Sequence, residues 1–139
     1  MSKGPEANFW NSIRSNLPKN CHATRIENKH GGGVPDVHAV WDGLPFWLEL
    51  KVSKSNAIKV SPHQIAWHAA YSARGGSSFF LVKRSSTREL LLFEGKYGVL
   101  LADGGCSAAE GAIFQDLPAF FSGLLPILQE KHRLAGHGA

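Results

Sequence analysis

The stretch Val34-Pro35-Asp36-Val37-His38-Ala39-Val40-Trp41-Asp42-Gly43-Leu44-Pro45-Phe46-Trp47-Leu48-Glu49-Leu50-Lys51 decides how this chain reads. Asp-Gly between two apolar runs is a strong signal for a two-residue β-hairpin loop. With Asp42 and Gly43 as that loop, the numbers of facing residues add to 85. Val37 then faces Leu48, Ala39 faces Phe46 and Trp41 faces Leu44, so one face is wholly apolar, and Leu50 and Val52 continue it. Because side chains alternate along a strand, a slip of one residue would exchange the faces, and the apolar set therefore pins the register. The other face carries Asp36, His38, Glu49 and Lys51. In this register Asp36 stands opposite Glu49, with Cβ atoms roughly 5 Å apart, an arrangement that repels unless a cation lies between them.

Two adjacent carboxylates form a hard oxygen site of the kind magnesium uses, in which one or two protein carboxylates act with waters and substrate phosphates. Lys51 follows Glu49 by two residues on the same strand face, roughly 6.6 Å along the chain. Its ammonium can reach a water bound to the metal, and the metal can polarise a phosphoryl oxygen and activate an attacking water. Asp, Glu and Lys on one hairpin thus form a constellation suited to phosphodiester hydrolysis.

Outward from the hairpin, Pro5 to Leu17 has Phe9, Ile13 and Leu17 at four-residue spacing and predicts a helix ended by Pro18. Glu6 lies in its first turn, where a carboxylate suits the helix dipole. Cys21 to Glu27 predicts a short strand, and Asn28 to Gly33 a glycine-rich loop. Ser61-Pro62-His63-Gln64 has an N-cap serine, a proline at the first helical position and the glutamine of a capping box, so a helix is expected to Ala73. Ser78–Lys83 and Glu89–Glu94 predict two antiparallel strands, and Tyr97–Ala102 a further one. Leu117–Leu134 reads as one or two short helices interrupted near Gly123 and Pro126, with frayed residues from Ala135.

The order α-β-β-β-α-β-β predicts a single α/β domain over residues 1–139, with a mixed central β-sheet flanked by helices, a core at about 5–95 and a C-terminal helical segment at about 115–134. The crossover through Ser61–Ala73 makes the Ser78 strand parallel to a hairpin strand. A chain of 139 residues is one domain by length, and 43% apolar residues suffice for a core. No apolar run approaches the roughly 20 residues of a membrane span, and the first residues lack a signal-peptide core. An intracellular protein is expected, and the small size fits a phage-encoded enzyme acting in the host cell. Cys21 and Cys106 have no metal or disulfide spacing and read as reduced thiols. His63 and His68, five apart on a helix, make a poor metal pair. A net charge of +4 favours a polyanionic partner.

These residues together resemble the PD-(D/E)XK nuclease superfamily, and within it the small VRR-NUC and Holliday-junction-resolvase-like nucleases. The resemblance is carried by Glu6 on the first helix, Gly33-Val34-Pro35-Asp36, Glu49-Leu50-Lys51 and Ser61-Pro62-His63-Gln64, with Val82-Lys83-Arg84 as a loose counterpart of a basic strand end. It covers about residues 5–84 and implies a restriction-endonuclease-like core. It also implies a magnesium-dependent DNA endonuclease, with manganese able to substitute, acting on branched DNA such as Holliday junctions and working as a homodimer. By the same resemblance Asp36, Glu49 and the Leu50 main-chain carbonyl hold metal, and Glu6 completes the site or holds a second ion. Lys51 orients the attacking water, and Gln64, with the capping role as its alternative, sits by the scissile phosphate. Lys29, Gly32, Gly33, Lys54, Lys59 and Arg84 are the candidate DNA contacts. A general nicking or restriction-type nuclease, and a non-catalytic DNA-binding module on the same fold, are the alternatives. Phe114, Phe120, Phe121, Leu124 and Leu125 are expected either to form an interface or to belong to the core.

Overall fold

The structure of the protein is a computed structural model that describes residues 4–27 and 32–137. Its frame is a six-stranded mixed sheet in sequence order: β1 (Cys21–Arg25), β2 (Val37–Trp41), β3 (Leu44–Ser53), β4 (Ser78–Arg84), β5 (Leu90–Glu94) and β6 (Ala112–Phe114). Among the described residues only β3 and β4 pair in parallel, joined through α2 (Pro62–Ala73). The β2–β3 hairpin has the expected register, Val37 opposite Leu48 and Trp41 opposite Leu44. Asp42 and Gly43 have φ of 50° and 80°, the two positive values of a type I′ turn, whose twist matches the flanking strands.

The two faces of the sheet are covered differently. Helix α1 (Pro5–Ser15) buries Phe9, Trp10 and Ile13, and α4 (Leu117–His137) buries Phe120, Phe121, Leu124 and Leu128. They share one core with Val37, Leu48, Leu50, Phe79 and Leu81. On the other face Phe80, Val82, Leu91 and Phe93 pack with Leu101 and Cys106. Strand β4 is covered on both sides, which is why Ser78–Val82 is buried throughout and reads as an unbroken apolar run rather than an alternating one.

Three expectations are corrected. Tyr97–Ala102 is not a strand: a 3-10 turn at Gly95–Tyr97 leads into helix α3 (Gly98–Gly104). Leu101 is buried while Val99 and Leu100 are exposed, a helical rather than an alternating pattern, and Gly98 packs directly on Ile65 of α2. The C-terminal segment is one helix running to His137, straight through Gly123 and Pro126. An interior proline costs about 3 kcal/mol, but fully burying each of several large apolar side chains returns about 1.5–3 kcal/mol apiece. Gly123 is required by contact, since a Cβ there would fall 2.4 Å from the Phe114 ring. Strand β6 escaped notice because three residues show no readable period.

Phe120, Phe121 and Leu124 are core residues of this chain, with Phe114 and Leu125 packed against them. Among the described residues no helix is long and apolar enough to cross a membrane. Burial pushes the Cys21 thiol up to about 11 and raises Cys106 as well, so both are ordinary thiols rather than reactive thiolates.

Candidate active site

Strand β2 begins at Val37, one residue after Asp36. The expected cross-strand pair of Asp36 with Glu49 therefore lies just beyond the paired ladder, and the carboxylate takes another job. Asp36 Oδ2 accepts a hydrogen bond from the Leu50 N–H at 2.8 Å, and the Asp36 main-chain carbonyl accepts from Ile26 N–H at 2.8 Å. The residue is thus fixed from both ends where the hairpin separates. Ahead of it, Gly33 has φ of 95°, and a Cβ there would fall 2.2 Å from the His63 carbonyl oxygen. The glycine allows the loop to lie against the start of α2, which brings Asp36 and that helix to one place.

Asp36, Glu49, Lys51 and Glu6 line a single cavity of about 680 Å³. The Leu50 side chain is 2% exposed and belongs to the core, so it is the Leu50 main chain that faces the cavity. Glu49 is buried at 2% exposure, an expensive position for a carboxylate without polar support. Gln64 supplies support: its Nε2 donates to Glu49 Oε2 at 3.1 Å. Gln64 Oε1 accepts from Lys51 Nζ at 3.0 Å and from the Ser61 N–H at 3.0 Å, while Ser61 Oγ accepts from the Gln64 N–H. The cap and the contacts of Gln64 to Lys51 and Glu49 are therefore made by one side chain at once. The cap places one amide between the acid and the ammonium.

Replacing Gln64 separates the two roles. Gln64→Glu keeps an acceptor for the Ser61 N–H but faces Glu49 with a like charge, and it is expected to retain α2 while cutting turnover about 10–100-fold, the range for groups that orient a metal site from behind. Gln64→Ala is expected to lose similar activity and, in addition, about 1 kcal/mol of stability with the cap. Steady-state kinetics and thermal melts of both variants check this; a fully active Gln64→Glu would leave Gln64 with the capping role alone.

One turn after Gln64 on α2 lies His68, a residue that the sequence reading only discounted as a metal ligand. It is completely buried, with Nδ1 2.8 Å from Ser78 Oγ and its ring 4.2 Å from that of Phe80 between centroids. Burial lowers its pKa to about 4, with the nearby Lys51 charge adding to the shift and Asp36 opposing it. Unfolded, a histidine titrates near 6.5. Between those values the unfolded chain binds a proton that the fold refuses. The stability is therefore full above about pH 6.5 and is lost as pH falls to about 4, by about 3 kcal/mol in all. Urea unfolding at pH 7 and pH 4.5 should show most of that loss, and His68→Phe should remove it from the difference.

The remaining candidates separate. Lys54 and Lys59 line the cavity. Gly32 and Gly33 pack on His63. Arg84 is not among the cavity's lining residues and stands beside the Cys106 thiol, while Lys83 lies over the Phe9 ring at 5.8 Å, on the other face of the sheet. Lys29 falls outside the described residues. His38 is tilted against Trp47, centroids 4.5 Å apart, and Trp47 in turn packs on Trp67.

The donor set suits a hard divalent cation: two carboxylates and a main-chain group at one cavity wall, with no thiol or imidazole in its lining among the described residues. Among the described residues no three His, Cys, Asp or Glu side chains form a metal-sized cluster. Glu6 thus lines the cavity from α1 without joining Asp36 and Glu49 in a three-carboxylate group, and magnesium needs only one or two.

The family model described as archaeal Holliday junction resolvase (Hjc) matches residues 17–97, more than half of the chain. The chain belongs to this family. The Hjc match contains Asp36, Glu49, Lys51 and Gln64 but excludes α1, with Glu6, and everything from Gly98 onward. The fold is similar to that in the 1.6 Å structure of Archaeoglobus fulgidus Hjc, a Holliday junction resolvase from an archaeal hyperthermophile. The TM-score is 0.53 at 17% identity, over 67% of this chain and 75% of that one. No match to a curated protein is found. As a member of the Hjc family the chain is a structure-specific DNA endonuclease of junctions, of a class that depends generally on a divalent metal. Of the two groups its motifs resemble, the match favours the resolvases over the VRR-NUC nucleases.

Proposed function

We propose that this chain resolves branched DNA by magnesium-dependent hydrolysis in the Glu6–Asp36–Glu49–Lys51 cavity, with manganese able to substitute. The observation that carries the reading is the unbroken hydrogen-bond chain from Lys51 through Gln64 to Glu49 at the wall shared with Asp36. Asp36, Glu49 and the Leu50 carbonyl would hold the metal, with Glu6, which lines the cavity from α1, completing the site through a bound water or serving a second ion. The cation, when bound, polarises the phosphoryl oxygen and makes a water acidic enough to attack. Asp36 is kept in place by the Leu50 amide, and Glu49 by the Gln64 amide. Lys51, held by Gln64 Oε1, directs the attacking water and offsets charge on the phosphate. Lys54 and Lys59 at the cavity wall neutralise neighbouring phosphates, so binding weakens as salt rises.

Symmetric cutting of a four-way junction requires two active sites, and we take the working unit to be a homodimer. Cleavage of four-way, flap and linear substrates in magnesium and in manganese, combined with sedimentation at micromolar concentration, tests the reading. Junctions left intact in both metals would end it; cutting without preference for branches would favour a nicking nuclease; a monomer would remove symmetric resolution.

A further inference from the structure

Between β3 and α2, the segment 54–60 contributes Lys54, Ala57, Ile58 and Lys59 to one wall of the acid cavity. This wall is tied to a part of the chain that the Hjc match does not reach. Asn56 Nδ2 donates to the Gly104 carbonyl at 2.9 Å, and Asn56 Oδ1 accepts from the Ser107 N–H at 2.7 Å. The Asn56 carbonyl accepts from the Cys106 N–H at 2.9 Å. Gly105 closes the contact: its φ is 76°, and a Cβ there would fall 2.5 Å from both Asn56 Nδ2 and the Asn56 carbonyl oxygen. Below the clamp, Ile58 and Val60 pack on the cluster holding Leu101 and Cys106. The start of the wall is closed on itself by Ser53 Oγ, which donates to the Ala57 carbonyl at 2.7 Å and accepts from the Ser55 N–H.

We propose that Asn56 is a positioning residue, and α3 with the following 3-10 turn a brace, that together hold Lys54 and Lys59 at the cavity for the phosphodiester backbone of the entering DNA strand. A lysine on a loose loop must order that loop each time it meets a phosphate, whereas a loop already tied down has met that entropy cost on folding. Asn56 itself carries no charge and lines no part of the cavity, so its effect on DNA passes through the two lysines. The proposal rests on the cavity being the cleavage site.

The test compares the full-length protein with variants on a synthetic four-way junction in magnesium over a range of salt. Lys54→Ala/Lys59→Ala removes two phosphate contacts and should make the slope of log(kcat/KM) against log salt shallower by about 1.8. Asn56→Ala removes no charge, yet it should raise KM several-fold and shift the slope in the same direction, with kcat little changed and the melting temperature close to wild type. Gly105→Ala, which intrudes on the clamp from the other side at a φ of 76°, should raise KM and shift the slope in the same direction, and it should also lower the melting temperature. In the Lys54→Ala/Lys59→Ala background Asn56→Ala should add nothing. The proposal is overturned if Asn56→Ala lowers kcat with KM and slope unchanged, if its effect adds in full to that of the lysines, or if the lysine variant leaves the slope untouched. Metal-free junction binding by anisotropy reads the same slopes. A protein that binds as expected but does not cut therefore counts against the cavity reading and not against the brace.

Discussion

The Glu49→Gln protein is expected to fold as well as wild type and to have lost cleavage, with kcat down by at least the 10²–10³-fold that removal of a single electrostatic stabiliser costs. Asp36→Asn should behave alike. Both amides keep the shape and the acceptor oxygen that the Gln64 amide and the Leu50 N–H require, so the scaffold has no reason to fail. Glu49 is also nearly fully buried, and its neutral amide avoids the cost of burying a charge. Without metal, Glu49→Gln should therefore melt at or above the wild-type temperature. Added magnesium should separate the proteins. A ligand that binds only the fold stabilises it by about 2.7 kcal/mol at a hundred times its dissociation constant, and this rise should appear for wild type and be absent or much reduced in both variants. Normal cutting by either one would remove its acid from the site.

Lys51→Met should give the complementary result: kcat lower by about 10²–10⁴-fold, the usual worth of a positioned proton-transfer group, with the magnesium-induced rise in melting temperature retained. Met keeps the unbranched stem, and Gln64 Oε1 keeps its bond from Ser61 N–H, so α2 stays capped. Lys51→Arg should recover little, because the planar fork of a guanidinium does not replace a compact ammonium donating to one amide oxygen at 3.0 Å. Loss of the metal response in Lys51→Met would recast Lys51 as a support for the acids rather than a group acting on water.

The hairpin was legible because two independent signals agree on it. Asp42-Gly43 supplies a turn whose backbone needs positive φ twice, and the register it sets puts Val37, Ala39, Trp41, Leu44, Phe46 and Leu48 on one apolar face. The start of α2 was legible for a similar reason, since Ser61, Pro62 and Gln64 each satisfy a local requirement of a helix N-terminus. Local signals failed where a long-range contact set the outcome. Pro126 and Gly123 read as breaks, yet α4 continues because its apolar face is buried on the sheet and Phe114 occupies the space over Gly123. Tyr97–Ala102 is apolar enough for a strand, but Gly98 rests on α2 and makes it a helix. Asn56 carries no motif at all; its partners lie about fifty residues ahead in the chain.

By itself the sequence determined which side chains share the polar face of the hairpin, because a two-residue period and a turn of known length leave one register. It therefore named the acids and the lysine. The tertiary structure decided how they meet. Asp36 sits just past the last ladder pair and bonds to Leu50, and Gln64 reaches from α2 to Lys51 and Glu49. The glycine at position 33 lets the loop before Asp36 rest on His63. Those contacts join elements from separate parts of the chain, and packing between elements, unlike side-chain alternation within a strand, leaves no periodic trace in the sequence.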